Sequence, residues 1–389
     1  MTVTYSQDVT TSTWIGNFWK LLFRWRGSVY RLIWPDLLVY CTLFAIISLV
    51  YRHALDETQR VTFEMLSLHC EYFASFIPLS FVLGFYVSIV VGRWWEQYNS
   101  IPWPDTLALH ITAGLHGHDE ISRKMRRTVM RYANLTITFT FAMMSPLAKK
   151  RFPNLQAYVE EGLMTENEKR IFENFRKRTN QPDYWMPLVW ATSIIARARK
   201  EGRIRDDFAV KTIIDKISDL RGTCGGLLSY DWICVPLVYT QVVTVAVYTF
   251  FASSLMGRQF LDPSKNYDHN QIDFYVPIFT ILQFFFYVGW LKVAETLLNP
   301  FGGDDDDFEV NYLIDRNQQV VYLVVDEMHD EHPDLLQDKY WNKMMPDDEK
   351  NEKYTGDVPT GSTLNLDNEP QEEEFIPLED TINENEPLA

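Results

Sequence analysis

Four apolar stretches of this chain lack charged side chains for long enough to matter, and this limits the folds open to it. They cover residues 37–51, 72–91, 232–257 and 274–291, or 15, 20, 26 and 18 residues. A hydrocarbon core about 30 Å thick needs roughly 20 apolar residues per helix. The second and third stretches meet that length and the fourth is adequate. The first spans only if Ile33 and Trp34 also enter the bilayer and protein satisfies Asp36. One such run reads equally well as a buried core helix; four in one chain read as membrane crossings.

The mean hydropathy of -0.17 hides this pattern because charge is unevenly spread. Residues 301–389 hold 26 Asp and Glu against 5 Lys and Arg, in a chain whose net charge is -16. Residues 1–300 are therefore net basic and strongly apolar. A wholly disordered chain is excluded, since it would need low hydrophobicity throughout. A nucleic-acid binder is disfavoured, because the Trp- and Phe-rich runs carry almost no basic residues. Four cysteines are too few for a disulfide scaffold, and Cys41 and Cys234, inside apolar runs, read as small buried hydrophobes. The first residues have neither a basic region nor an apolar core, so no cleaved signal is expected.

Basic residues suggest the orientation. The links 52–71 and 258–273 carry two Lys or Arg each, whereas 93–231 carries 22. The short links are expected outside, with both termini and the long segment in the cytosol. Six regions follow: an N-terminal segment 1–31, two crossings in 32–92, a helical cytosolic domain 93–231, two crossings in 232–291, an acidic and helical region 292–345, and a flexible acidic tail 346–389. The long segment reads as helical from mixed charge with apolar residues at helical spacing, as in 123–133.

Ile77, Phe81 and Phe85 recur every fourth residue, a spacing that places them on one face of a helix. An aromatic stripe in a membrane helix usually faces lipid or a neighbouring helix. It also suits a narrow apolar constriction that gates by dewetting. Phenyl edges carry partial positive charge, which a dehydrated anion tolerates. No carboxylate lies in this run to build a cation pore.

The second feature is Asn299-Pro300-Phe301-Gly302-Gly303 followed by Asp304, Asp305, Asp306 and Asp307, then Phe308. Four adjacent carboxylates most simply make a solvated loop. Here they follow a membrane helix and a turn, and Phe301 and Phe308 would pin them to an apolar surface. Hard oxygen donors on a turn suit Ca²⁺ better than Mg²⁺. The spacing is not that of an EF-hand. His116-Gly117-His118 and His329-Asp330-Glu331-His332 match no zinc spacing and read as exposed polar histidines. No phosphate-binding loop, dinucleotide fingerprint or nucleophile elbow is present, so the chain reads as a non-enzyme.

Several stretches together resemble the bestrophins, a family of calcium-activated anion channels. They include Arg26-Gly27-Ser28-Val29-Tyr30, Ile77-Pro78-Leu79-Ser80-Phe81-Val82-Leu83-Gly84-Phe85, Arg93-Trp94-Trp95 with Pro102-Trp103-Pro104-Asp105, Gly202-Arg203-Ile204-Arg205-Asp206, Pro236-Leu237-Val238-Tyr239-Thr240-Gln241, and Asn299-Pro300-Phe301-Gly302 with its aspartates. The resemblance covers roughly residues 1–345. It implies an all-α membrane protein with four transmembrane helices per subunit and a helical cytosolic domain, assembled as a homopentamer around one axial pore. Ile77, Phe81 and Phe85 match the family's hydrophobic neck. Phe208 falls on its cytosolic aperture, where vertebrate members carry Ile or Val. The family's calcium clasp maps onto the side chains of Asp304 and Asp307 and the backbone carbonyls of Thr296 and Asn299. A further carbonyl comes from a neighbour's N-terminal segment and falls on Thr10, with Thr11 the alternative. Gly361-Ser362-Thr363-Leu364-Asn365-Leu366 resembles the family's inhibitory tail.

The resemblance implies a calcium-activated channel for chloride and other monovalent anions, in the plasma membrane, with no nucleic-acid partner. Two other classes stay open: a calcium-dependent scaffold that regulates other channels, and a secondary anion transporter, for which no inverted repeat is visible.

Overall fold

The computed structural model describes residues 3–9, 18–265, 267 and 272–342. Among them the regular structure is helical, with one isolated antiparallel bridge between Leu115 and Ile204. In chain order the α-helices are α1 (Phe18–Leu21), α2 (Val29–His53), α3 (Glu57–Ala74), α4 (Leu79–Asn99), α5 (Asp105–Gly114), α6 (Glu120–Met144) and α7 (Pro146–Arg151). They continue with α8 (Leu155–Glu160), α9 (Glu166–Arg176), α10 (Met186–Lys200), α11 (Asp207–Trp232), α12 (Leu237–Gly257), α13 (Ile278–Leu297) and α14 (Val310–Tyr322). A π-helical turn, Leu323–Glu327, follows α14. The chain divides into two units, Met1–His332 and Pro333–Ala389. The described residues of the second are turns and irregular backbone.

Three helices, α2, α12 and α13, are long and apolar enough to cross a bilayer, and the pair α3 and α4 adds a fourth crossing if taken as one span bent by 45°. In α2 the Ser28 side chain accepts from the N–H of Arg31, an N-cap that starts the helix well before the charge-free run. Ile33 is buried, and Asp36 lies 3.6 Å from Lys292 Nζ on α13. Protein thus meets the charge of Asp36, while Trp34 next to Ile33 stays exposed on the outer face of α2. Tyr40 ties three helices together. Its hydroxyl bonds Ser254 Oγ at 2.8 Å, and its ring packs on Phe251 and Phe284.

The second charge-free stretch is not one helix. Pro78 has no N–H, and the residue before a proline avoids helical geometry. The chain therefore breaks after Ala74, and α4 begins only at Leu79. The helix before the break is polar, and a tertiary cluster holds its buried carboxylate. Glu64 accepts from Tyr51 at 2.7 Å, Tyr267 at 3.0 Å and Lys265 at 2.7 Å.

A second core lies outside this bundle and is built around α6. Residues on every side of α6 are buried, as expected of a helix enclosed by others. Two of its threonines are satisfied inside, Thr138 donating to Asn134 O and Thr140 to Thr136 O, whereas the buried Thr136 Oγ1 has no hydrogen-bond partner. Phe301, Phe308, Val310, Ile314, Val321 and Val325 belong to this same core. The region after α13 thus packs as part of the domain begun at 93. The boundaries drawn at 92 and 231 fall within or at the end of helices, because α4 runs on to Asn99 and α11 reaches Trp232. Cys224 is the buried cysteine, while Cys41 is half-buried and Cys234 exposed. A charge-free run does not bury every side chain, because part of each crossing helix faces outward.

Candidate functional site: an acidic loop at the end of the bundle

The loop 299–309 sits where α13 ends and α2 begins. Phe301 is fully buried and Phe308 nearly so, with their rings 5.3 Å apart edge to face. Phe301 also meets Phe141 of α6, and Phe308 meets Trp94 and Tyr98 of α4 at 5.4 and 5.7 Å. The two phenylalanines anchor the loop as its sequence suggests. Between them the chain turns back on itself. Phe308 N–H donates to Pro300 O at 2.8 Å, and Asp304 N–H donates to an Asp307 carboxylate oxygen at 2.7 Å.

A cavity of about 130 Å³ opens beside this turn, lined by Gly27, Ser28, Arg31, Leu32, Thr296 and residues 303–306. Thr296 and Asp304 therefore face one space. The Asp307 side chain is buried and turns back toward Asp304, away from the cavity lining. Asn299 contributes a carbonyl 3.6 Å from where a Cβ on Gly302 would lie, while Asp307 Oδ2 is only 2.7 Å from that point. Gly302 thus makes room for a carboxylate. Asp305 and Asp306 also reach the cavity, although the resemblance singled out neither. The acidic run itself was the signal for them. Thr10 and Thr11 lie outside the described residues, as does the segment 361–366.

The electrostatics of the loop are lopsided. Arg26 and Arg31 both face Asp305, the latter through a direct hydrogen bond. Among the described residues no basic side chain bridges Asp304 or Asp306. Burial, with Asp305 and Asp304 beside it, pushes the Asp306 carboxyl up from its ordinary value. Burial also pushes Asp307 up, with Asp304 and Asp306 adding to the rise and the Asp304 N–H opposing it. The loop therefore holds negative charge at a cost that a cation would relieve. Among the described residues no group of three His, Cys, Asp or Glu side chains could by itself hold a metal ion. Carboxylates and carbonyls around a small cavity are nevertheless the donor set a hard cation such as Ca²⁺ takes, and main-chain oxygens would complete it.

The apolar stripe is only partly as its spacing suggests. Phe81 and Phe85 lie on α4, both mostly exposed, their rings 4.7 Å apart. Ile77 precedes the helix, in the break, and packs partly buried against the bundle core. The four-residue spacing is real, but Pro78 interrupts the helix it presumed. Phe208 is the second residue of α11 and is 83% exposed. Asp206 caps that helix by accepting from Ala209 N–H at 2.8 Å. The histidines are not uniformly exposed. His329 is buried, and its Nδ1 lies 2.8 Å from Thr112 Oγ1. Sequence proximity could not show this, because α5 and the end of the π-helical turn meet only in the fold.

An all-helical membrane protein with an acidic loop pinned beneath its bundle is the class these features define. A family model described as "Bestrophin, RFP-TM, chloride channel" matches residues 1–327. The chain belongs to the bestrophin family. It is 50% identical to human Bestrophin-3 over 342 residues, which cover 88% of this chain and 51% of that one. It is 51% identical to human Bestrophin-2a over 342 residues, covering 88% and 67%. With human Bestrophin-1 it shares 46% over 380 residues, covering 97% and 64%. The chain thus spans about half to two thirds of these relatives' length. Among solved structures, a bacterial bestrophin homolog from Klebsiella pneumoniae aligns with TM-score 0.54 at 20% identity, covering 77% of this chain and 100% of that one. A variant of that protein aligns with TM-score 0.55 at 19% identity, covering 76% and 99%. These likenesses establish the fold.

Proposed function

We propose that this chain is the subunit of a homopentameric, calcium-activated channel for chloride and other monovalent anions. In this reading it sits in the plasma membrane with both termini in the cytosol. One observation carries the proposal: a single helix, α4, touches both candidate sites. Phe81 and Phe85 stand near one end of it, while Trp94 and Tyr98 near the other pack on Phe308, the aromatic anchor of the acidic loop. At about 1.5 Å rise per residue, Phe85 and Trp94 are separated by roughly 14 Å of continuous helix.

Asp304, Asp307 and the carbonyls of Thr296 and Asn299 would hold Ca²⁺, together with Thr10 of a neighbouring copy. The ion would supply the positive charge that the loop lacks. Phe301 and Phe308 keep the loop registered on the domain, so a change in the turn is felt at Trp94 and Tyr98. Phe81 and Phe85, with Ile77 just before their helix, form the water-excluding ring that closes or opens the path. Phe208 stands at a second, cytosolic constriction. The ion can bias the gate only by binding the open arrangement more tightly than the closed one.

The test uses purified protein in planar bilayers, with free calcium stepped on one face. Replacing Ile77, Phe81 and Phe85 together by alanine should give current without calcium, and Asp304→Ala should move activation to higher calcium. A triple variant still fully calcium-dependent refutes the gate. Silence of the wild type at every calcium level refutes the channel and leaves a scaffold, while saturable coupled flux without unitary currents marks a transporter.

A further inference from the structure

We propose that Thr179, in the connection between α9 and α10, is a phosphorylation site for a basophilic protein kinase using ATP, and that the phosphate draws Arg176 away from Asp183. Two runs of three consecutive basic residues occur in the chain, 149–151 and 176–178. The first leads into Phe152, whereas the second, Arg176-Lys177-Arg178, leads directly into the hydroxyl of Thr179. No acidic residue lies between Asn174 and Pro182 to offset those charges. An enzyme whose substrate groove is acidic selects such a segment by charge complementarity.

The local structure leaves this hydroxyl ready for transfer. Helix α9 ends at Arg176, and Lys177 and Arg178 lie exposed just beyond it. Thr179 N–H still donates to Phe175 O at 3.2 Å, so the chain keeps one further turn. Residues three apart on such a turn are neighbours, which sets Thr179 on the side of Arg176. Thr179 is half-buried, and its Oγ1 accepts from Gln181 N–H at 3.1 Å. Its own O–H proton is engaged by no other described residue. Residues 179–183 form no regular element, and a frayed helix end opens at little cost, so the segment can extend into an enzyme's groove. In the transfer the Thr179 oxygen forms a bond to the γ-phosphorus of ATP and the bond to the β-phosphate oxygen breaks. ADP leaves, and the hydroxyl proton passes to the kinase's catalytic base.

The unmodified connection is held by one ion pair. Arg176 Nε and Nη2 donate to the two carboxylate oxygens of Asp183 at 2.5 and 3.2 Å. The Asp183 side chain is 11% exposed, against 47% for Arg176, so the cation is the partner free to turn. A phosphothreonine carries a charge of about -1.5 to -2 and three acceptor oxygens, and a guanidinium binds such a group through paired hydrogen bonds. Arg176, one turn back, would swing to it and leave Asp183 nearly buried without its cation, an arrangement that loosens whatever the carboxylate was holding. Asp183 stands at the start of α10, where its carbonyl accepts from Met186 N–H at 3.1 Å. Beside it Trp185 packs edge to face on Phe175 of α9, with ring centres 5.9 Å apart. The charge placed on Thr179 therefore acts on the joint between α9 and α10, at the edge of the core built around α6.

The test incubates purified full-length protein in detergent with the catalytic subunit of cAMP-dependent protein kinase, Mg²⁺ and ATP, and maps the phosphate by mass spectrometry. The wild type should take up about one phosphate per chain, at Thr179, and Thr179→Val should take up at least about tenfold less. Lys177→Gln removes one exposed cation and should slow the transfer several-fold at an unchanged melting temperature. Chymotryptic cleavage after Tyr184 or Trp185 should be several-fold faster in the phosphorylated protein than in the unmodified one. No incorporation into the wild type, equal incorporation into Thr179→Val, or phosphate mapped to other residues would overturn the site. Unchanged cleavage in protein phosphorylated at Thr179 would overturn the release of Asp183. That a kinase in the cytosol meets Thr179 rests on the orientation proposed above. Modification of the purified protein, with none in intact cells until the membrane is permeabilised, would therefore refute that orientation and leave the site standing.

Discussion

Gly302→Ala tests the acidic loop without removing any charge from it. A Cβ at this position would sit 2.7 Å from Asp307 Oδ2, so the carboxylate must retreat by about half an ångström. Asp307 is buried, and that same oxygen accepts the Asp304 N–H at 2.7 Å. Retreat stretches a hydrogen bond to a charged acceptor and forfeits part of the about 1.5–3 kcal/mol such a bond is worth. The backbone itself is not strained, because Gly302 is not in the left-handed region. If Asp307 is a calcium ligand, displacing it costs the bound state more than the free loop, and only that difference shifts affinity. Half-maximal activation should then rise by up to about 10-fold, at about 1.4 kcal/mol per factor of ten. The assay is current from purified protein in planar bilayers against stepped free calcium, with a melting curve to show that the domain is intact. Superimposable calcium curves for the variant and wild type, at equal melting temperature, would refute the reasoning and leave Asp307 a structural residue.

Two further outcomes follow from packing and charge. Gly257→Ala would place a Cβ 2.6 Å from the Glu71 backbone nitrogen, a contact no rotamer can relieve. It should cost about 1–3 kcal/mol by forcing α3 and α12 apart, read as a lower melting temperature by fluorescence-detected gel filtration; an unchanged value would show that the helices do not depend on this approach. Burial would raise the Glu168 carboxyl, but hydrogen bonds from Arg131, Tyr132 and the Thr165 N–H outweigh it and hold it at about 2. Its contribution, on the order of 3 kcal/mol, is present above pH ~4.5 and lost as pH falls toward 2. Glu168→Gln should flatten the loss of helical-domain stability over that window, and an identical acid profile in both proteins would show the charge to be idle.

The three apolar helices α2, α12 and α13 were legible in the sequence because lipid tolerates so few charges that their absence is itself a signal. The break before α4 was half legible. Pro78 announced it, but the polar helix α3 could not be foreseen, since what makes Glu64 tolerable there is Tyr51, Lys265 and Tyr267. The loop was legible as chemistry, four aspartates between two phenylalanines. Which carboxylates line the cavity was not, because Asp307 is turned inward by one backbone N–H. The membership of residues 301–327 in the core around α6 is a long-range fact that local spacing does not encode. The same is true of His329, whose burial depends on α5.

The interruption at residues 75–78 has a mechanical consequence. The backbone of α3 is locked against α12 at Gly257, so it behaves as a stator fixed to the frame. No continuous helical hydrogen-bond ladder joins it to α4, whose cap is a proline that donates nothing. In the gating we propose, leverage at Trp94 would tip this rotor without dragging its neighbour along. Fusing the two helices by replacing Pro78 would weld the parts together and stiffen the joint on which such movement turns.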